Sequence, residues 1–158
     1  MKFDKHLIIK GVLVIFLIGY ITALCLSDSA KNIPIETISA EMEAAEGISA
    51  LTRQDAAGLK RFYGLDENAA EGYFFCKADS PMSIEEALIV KARSKTEAEA
   101  ILEAAEGHLA SQIRTFEGYG TDQMGYLNDA VVEKKGVYTY YFCGPNADIW
   151  RRLFLSMI

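Results

Sequence analysis

One stretch near the start of this chain restricts its possible folds more than any other. Residues 11–26 read Gly-Val-Leu-Val-Ile-Phe-Leu-Ile-Gly-Tyr-Ile-Thr-Ala-Leu-Cys-Leu, without a charged side chain, and Lys2, Lys5 and Lys10 precede them. A basic flank followed by an apolar core is the order of a signal peptide or a signal anchor. As a helix this run spans about 24 Å, short of a hydrocarbon core of about 30 Å. If Lys10 snorkels back to the headgroups, Leu7, Ile8 and Ile9 join it, and the run reaches about 20 residues, enough to span. The lysines lie before it, whereas Asp28 and Glu36 follow with only Lys31 among them. That bias predicts a single-pass helix with its N-terminus in the cytoplasm and the body outside.

The N-terminal segment has three possible fates. It is retained as an anchor, which is the expectation; or it is cleaved near Ser27, Ser29 or Ala30, leaving a secreted body; or it is lipidated at Cys25. Leu24, where a small residue normally precedes a lipidated cysteine, fits the third poorly. The division expected is residues 1–26 as signal anchor or signal peptide, 27–34 as a tether, and 35–158 as an extracytoplasmic domain. Charge follows the same division. Residues 1–26 hold three Lys and one Asp, and residues 27–158 hold 13 Lys+Arg and 21 Asp+Glu, so +2 and −8 make up the net −6. An acidic body excludes nucleic acid as an expected partner, because phosphate binding needs a clustered basic face.

Beyond Pro34, Ile35, Ile38, Met42 and Ala45 recur at helical steps, and Gly47 is placed to end that helix. A second helix is expected from about Arg53, with Thr52 as N-cap and Gly64 as its stop. Residues 72–78 and 85–93 are rich in aromatic and β-branched side chains, with Asp79-Ser80-Pro81 between them, and predict a hairpin. Ser94 with Glu97 has capping-box spacing and opens the longest helix, over residues 95–116. Its expected buried stripe is Ala98, Leu102, Ala105, Leu109, Ile113 and Phe116. Strands near 129–133 and 137–143 follow, and then a helix capped at Asn146. This order predicts an α+β fold: a four-stranded, mainly antiparallel sheet with helices packed chiefly on one face. The tetrapeptide Ala-Ala-Glu-Gly occurs at 44–47, 69–72 and 104–107, without a fixed period, so no repeat architecture follows.

Known chemical signatures are missing. There is no His-Glu-x-x-His, no cysteine pair at Cys-x-x-Cys spacing and no Gly-x-Ser-x-Gly. His108 reads as a boundary residue of the long helix, and Ser111 as a solvated one. Glu99, Glu103 and Glu106 form a solvated helix face, not a calcium loop. Gly118, Gly120 and Gly125 lack the lysine and the strand–loop–helix setting of a phosphate cradle. No catalytic residue, metal ligand or cofactor is therefore expected.

Aromatic residues stand out instead. Tyr73, Phe74, Phe75, Tyr138, Tyr140, Tyr141 and Phe142 crowd two strands, and alternation cannot send them all into one core. Either they stabilise cross-strand pairs, or some face an uncovered side of the sheet and bind a ligand. In the second case Tyr73, Phe75, Tyr138, Tyr140 and Phe142, with Tyr119 and Tyr126 in the loop after the long helix, are the candidate binding residues. Cys76 and Cys143 each end a strand, and they form a disulfide if the first and last strands are neighbours; otherwise they are two buried thiols.

Arg61-Phe62-Tyr63-Gly64-Leu65-Asp66 stands before an extended segment and a long capped helix. Tyr119 and Tyr126-Leu127-Asn128-Asp129 then lead to Val131, Lys135-Gly136 and a tyrosine-rich strand. This order and spacing resembles the domain of unknown function 4358 family over residues 36–154. The resemblance implies a small exported or membrane-anchored protein of Gram-positive bacteria, and it carries no activity or functional residue over to this chain. The expectation is a tethered, non-enzymatic interaction module of the cell envelope, meeting an envelope protein or cell-wall ligand. The alternative is an envelope hydrolase using carboxylates such as Glu71 or Asp79.

Overall fold

A computed structural model describes the backbone of residues 5–27, 29–118 and 121–158, and the side chains of 9–23, 29–118 and 123–158. Cys25 and Tyr119 lie outside the described side chains. Helix α1 is Lys5–Ser27. Its described side chains are all exposed. Among the described residues no helix is long and apolar enough to cross a membrane; the described side chains of α1 amount to only about 22 Å of helix.

The body is built from α2 (Ile35–Glu43), β1 (Thr52–Arg53), α3 (Ala56–Tyr63), β2 (Gly72–Lys77), β3 (Glu86–Lys91), α4 (Lys95–Phe116), α5 (Thr121–Asn128), β4 (Val131–Lys135), β5 (Tyr138–Cys143) and α6 (Ala147–Met157). All strands join one antiparallel sheet in the order β1-β2-β3-β5-β4. The α+β class holds, with five strands among the described residues and not four. Thr52, expected to cap a helix, instead pairs with Lys77 in β1. Asp55 takes the cap, accepting the Gly58 N–H. At α4 the Ser94 hydroxyl accepts the Glu97 N–H and the Glu97 carboxylate accepts the Arg93 N–H, so that start is as expected. Gly136, at φ 61, turns the chain from β4 into β5, a conformation that favours glycine.

Helices cover both faces of the sheet, which corrects the one-sided arrangement. On one face α2 and α6 bury Ile38, Met42, Phe74, Ile89, Tyr140 and Trp150. On the other, α3, α4 and α5 bury Leu59, Phe75, Leu88, Ile101 and Tyr141. Each buried large apolar side chain contributes roughly 1.5–3 kcal/mol, so both layers are needed for stability. Tyr138, at the start of β5, also holds the stretch read as a tether. Its hydroxyl accepts the Ile33 N–H and donates to the Ile33 carbonyl, both at 2.7 Å.

The condition for a Cys76–Cys143 disulfide is not met, because β3 separates the two strands that carry the cysteines. Cys76 pairs with Ala87, and Ala87 with Phe142. Cys76 faces the α2/α6 core and Cys143 the opposite one. Both thiols are free and buried, and burial pushes each up to about 11.

Candidate functional site

The covered sheet leaves no open aromatic face. Phe75, Tyr138 and Phe142 are fully buried, Tyr140 is 2% exposed, and Tyr73 is half-buried. Tyr138, Tyr140 and Phe142 share one face and pack around Phe154, whereas Phe75 lies on the other. Among the described members of the set, only Tyr126, at 41%, is exposed. It lies apart from the rest, on α5.

Polar chemistry gathers at the far end of the sheet. The register of β2 and β3 sets Lys77 opposite Glu86, on the face that α3 and α4 cover. Glu86 is wholly buried, and an unpaired carboxylate there would cost several kcal/mol. Three donors offset that cost. The Tyr63 hydroxyl donates at 2.5 Å, the Lys77 ammonium at 3.1 Å, and His108 Nε2 lies 3.1 Å away. His108 Nδ1 is 3.0 Å from the Phe62 carbonyl oxygen. A carboxylate and a carbonyl only accept, so the imidazolium form makes both contacts at once. Burial alone would raise the Glu86 carboxyl, but the hydrogen bond and charge of His108, then Lys77 and Tyr63, hold it below the usual range. The Tyr63 hydroxyl is pushed well up, first by burial and then by Glu86.

This cluster ties α3, α4, β2 and β3 together, and beside it a cleft of about 600 Å³ opens between α3 and the β2–β3 turn. Arg61, Phe62, Lys77, Asp79, Ser80 and Gln112 line it, together with Asp55. Arg61 and Lys77 stand over the Phe62 ring, each 5.3 Å from its centre. Gln112 Nε2 lies 3.4 Å from His108 Nε2 at the border of the cleft and the cluster, but both groups are donors and do not bond each other. The lining presents donors, acceptors and one aromatic wall. Among the described residues no group of three or more metal-ligating side chains gathers.

The acids of the hydrolase alternative do not converge. Glu71 pairs with Lys91 just before β2, and Asp79 lies beyond its other end, about 26 Å away along an extended chain. Sequence reasoning missed Glu86, Lys77 and His108. The available signal was a lone acid in an apolar strand, set in register with a lone lysine across a short hairpin.

A five-stranded antiparallel sheet between two helical layers, with a polar cleft at one end, defines a small α+β sandwich domain. The chain belongs to the family of the domain of unknown function DUF4358, which it matches over residues 44–144. That span holds the whole Tyr63–Lys77–Glu86–His108 cluster and excludes α1, α2 and α6. No curated protein and no solved structure matches the chain.

Proposed function

We propose that this protein is a membrane-tethered, extracytoplasmic binding module of the cell envelope, and that its ligand sits in the cleft beside Phe62. The tether is α1. From Ile9 to Ile21 its large apolar side chains are 50–76% exposed, and a helix apolar on every side is stable in lipid, not in water. Lys2, Lys5 and Lys10 favour a cytoplasmic N-terminus. Cleavage of residues 1–26 would leave a secreted body with the same cleft.

One observation carries the binding reading: the lining of the cleft has both signs of charge, while the titratable groups at its base are engaged with one another. Glu86 already receives three donors, so it is not placed to act as a base. Arg61, Asp79, Ser80 and Gln112 remain to hydrogen-bond a neutral polar chain against Phe62, which suits a glycan or peptide of the cell wall. The test is titration of the full chain, reconstituted in vesicles, with fragments of enzymatically digested cell wall. Arg61→Ala with Gln112→Ala should weaken binding about tenfold or more and leave thermal unfolding unchanged. Undiminished binding would move the ligand elsewhere. Turnover of the fragments that disappears in Asp79→Asn would establish the hydrolase instead.

A further inference from the structure

Tyr126, which the covered sheet leaves exposed on α5, lines a second cleft of about 330 Å³ together with Met82, Ile84, Glu85 and Gln123. Ser80 and Ser83 complete that lining, and both also line the Phe62 cleft. The two clefts therefore adjoin across the β2–β3 turn, with α3 on one side of it and α5 on the other. The Ser83 N–H donates to the Ser80 carbonyl at 3.0 Å, closing a turn whose ends lie within about 7 Å of each other. Three residues of extended chain, at about 3.3 Å each, reach past it. Ser80 Oγ accepts the Met82 N–H and Ser83 Oγ the Glu85 N–H, both at 3.3 Å. Each hydroxyl thus keeps its proton to donate to a chain lying across the turn.

The second cleft differs from the first in its chemistry. Three large apolar side chains of the described body are exposed: Met82 at 56%, Tyr126 at 41% and Ile149 at 36%. Two of the three meet here, beside buried Ile84. Single exposed apolar residues are ordinary, whereas a converging pair continuous with a polar cleft is what an apolar group of a ligand covers.

We propose that the ligand of the Phe62 cleft is a peptide that crosses the β2–β3 turn and seats an apolar side chain between Met82 and Tyr126. The proposal rests on the reading of the Phe62 cleft as a binding site. Peptide chemistry fits both halves of the groove. Arg61 and Lys77 already stand over the Phe62 ring, where the face of a stacked sugar would have to lie. A peptide backbone needs no such face, since its N–H and C=O groups pair with Arg61, Asp79, Gln112 and the two serines. The unbranched thioether of Met82 adapts to side chains of different shape, so this end selects apolar character more than one residue type.

The experiment titrates the full chain, reconstituted in vesicles, with pools of N-acetylated hexapeptide amides, each pool fixed at one position. Glycan strands freed of peptide are titrated beside them. Pools with Leu, Phe or Met at the selected position should bind about tenfold tighter than pools with Ser or Asp there, as burial of one apolar side chain predicts. Met82→Ala with Tyr126→Ala should erase that preference and leave thermal unfolding unchanged, because both side chains are exposed. No preference in the wild type, or one that persists in this variant, overturns the second subsite; the Phe62 cleft stands if Arg61→Ala with Gln112→Ala still weakens binding. Pools that do not bind at all overturn the peptide assignment, and binding of the glycan strands in that case keeps the cleft and changes its ligand. Peptide binding that Arg61→Ala with Gln112→Ala leaves undiminished overturns the reading of the Phe62 cleft, and this inference with it.

Discussion

The two faces of this sheet bury tyrosines by different means. Toward α2 and α6, polar tips reach the margins of an apolar layer: Tyr138 meets the Ile33 backbone, Tyr140 donates to Glu133 at 2.5 Å, and the Trp150 indole donates to the Glu46 carbonyl at 2.8 Å. Toward α3 and α4, charge goes inside. Lys77, Glu86 and His108 are all buried and satisfy one another beneath Tyr63. A marginal hydrogen bond can fall back on water, whereas an interior ion cluster has no such reserve. The face with the interior charges is also the face with the cleft, so its stability and its proposed binding geometry depend on the same side chains.

The largest expected effect comes from breaking that interior cluster. Glu86→Gln keeps the shape and removes the charge, leaving buried Lys77 and His108 without their carboxylate. The expected loss is about 3–5 kcal/mol in urea unfolding, followed through the single tryptophan, Trp150. Acidity should act through the same group. The folded Glu86 carboxyl titrates below its unfolded value of about 4.3, so its contribution is complete above that pH. It is lost as pH falls from there through the folded value. The wild type should therefore weaken in that acid window, with a shallower slope in Glu86→Gln. Equal urea midpoints for the two proteins would mean that the cluster adds no net stability.

Much of this contrast was legible locally and little of it globally. Ser94 and Glu97 mark the start of α4, and the aromatic run with Asp79-Ser80-Pro81 marks the β2–β3 hairpin, because caps and turns act over a few residues. The neighbour chosen by β5 is a long-range matter, and the two-sided cover followed from a signal read too narrowly. Ala87-Leu88-Ile89-Val90 and Tyr138 to Phe142 are runs without a polar alternate of the kind a solvated face requires, apart from Thr139, whose hydroxyl donates to the Ala98 carbonyl. Helix α5 stands where the sequence predicts a loop; it is only eight residues long and carries Gly125, a poor helix former. His108 reads as a boundary residue in the sequence because its partners, Glu86 and the Phe62 carbonyl, come from other elements.

A smaller effect is expected on the opposite face. Tyr138→Phe removes the acceptor of the Ile33 N–H and the donor to its carbonyl, both half-buried at the margin of the apolar layer. Water replaces part of this, so the expected cost is about 1–2 kcal/mol. The amide of Ile33 should exchange faster while core amides of β3 keep their protection. A loss as large as that of Glu86→Gln would erase the difference between the two faces.

The smallest effect, and the one with the opposite sign, concerns Tyr141. It lies on the charged face with its ring 5.6 Å from His108 and 6.2 Å from Tyr63, yet its hydroxyl is the one buried side-chain polar atom without a partner among the described residues. The nearby Cys143 thiol is directed elsewhere, donating to the Tyr126 carbonyl at 3.6 Å, and sulfur is a weak acceptor. Burial, first of all, pushes the Tyr141 hydroxyl far above its ordinary range, so it stays protonated. A buried hydroxyl without a hydrogen bond costs about 1–3 kcal/mol, whereas phenylalanine fills the same space less one oxygen. Tyr141→Phe should therefore leave stability unchanged or raise it by up to about 1 kcal/mol, read as the urea midpoint beside that of the wild type. A loss of more than about 1 kcal/mol would show that the hydroxyl is satisfied by buried water. The charged face would then hold a wet network reaching beyond the Glu86 cluster.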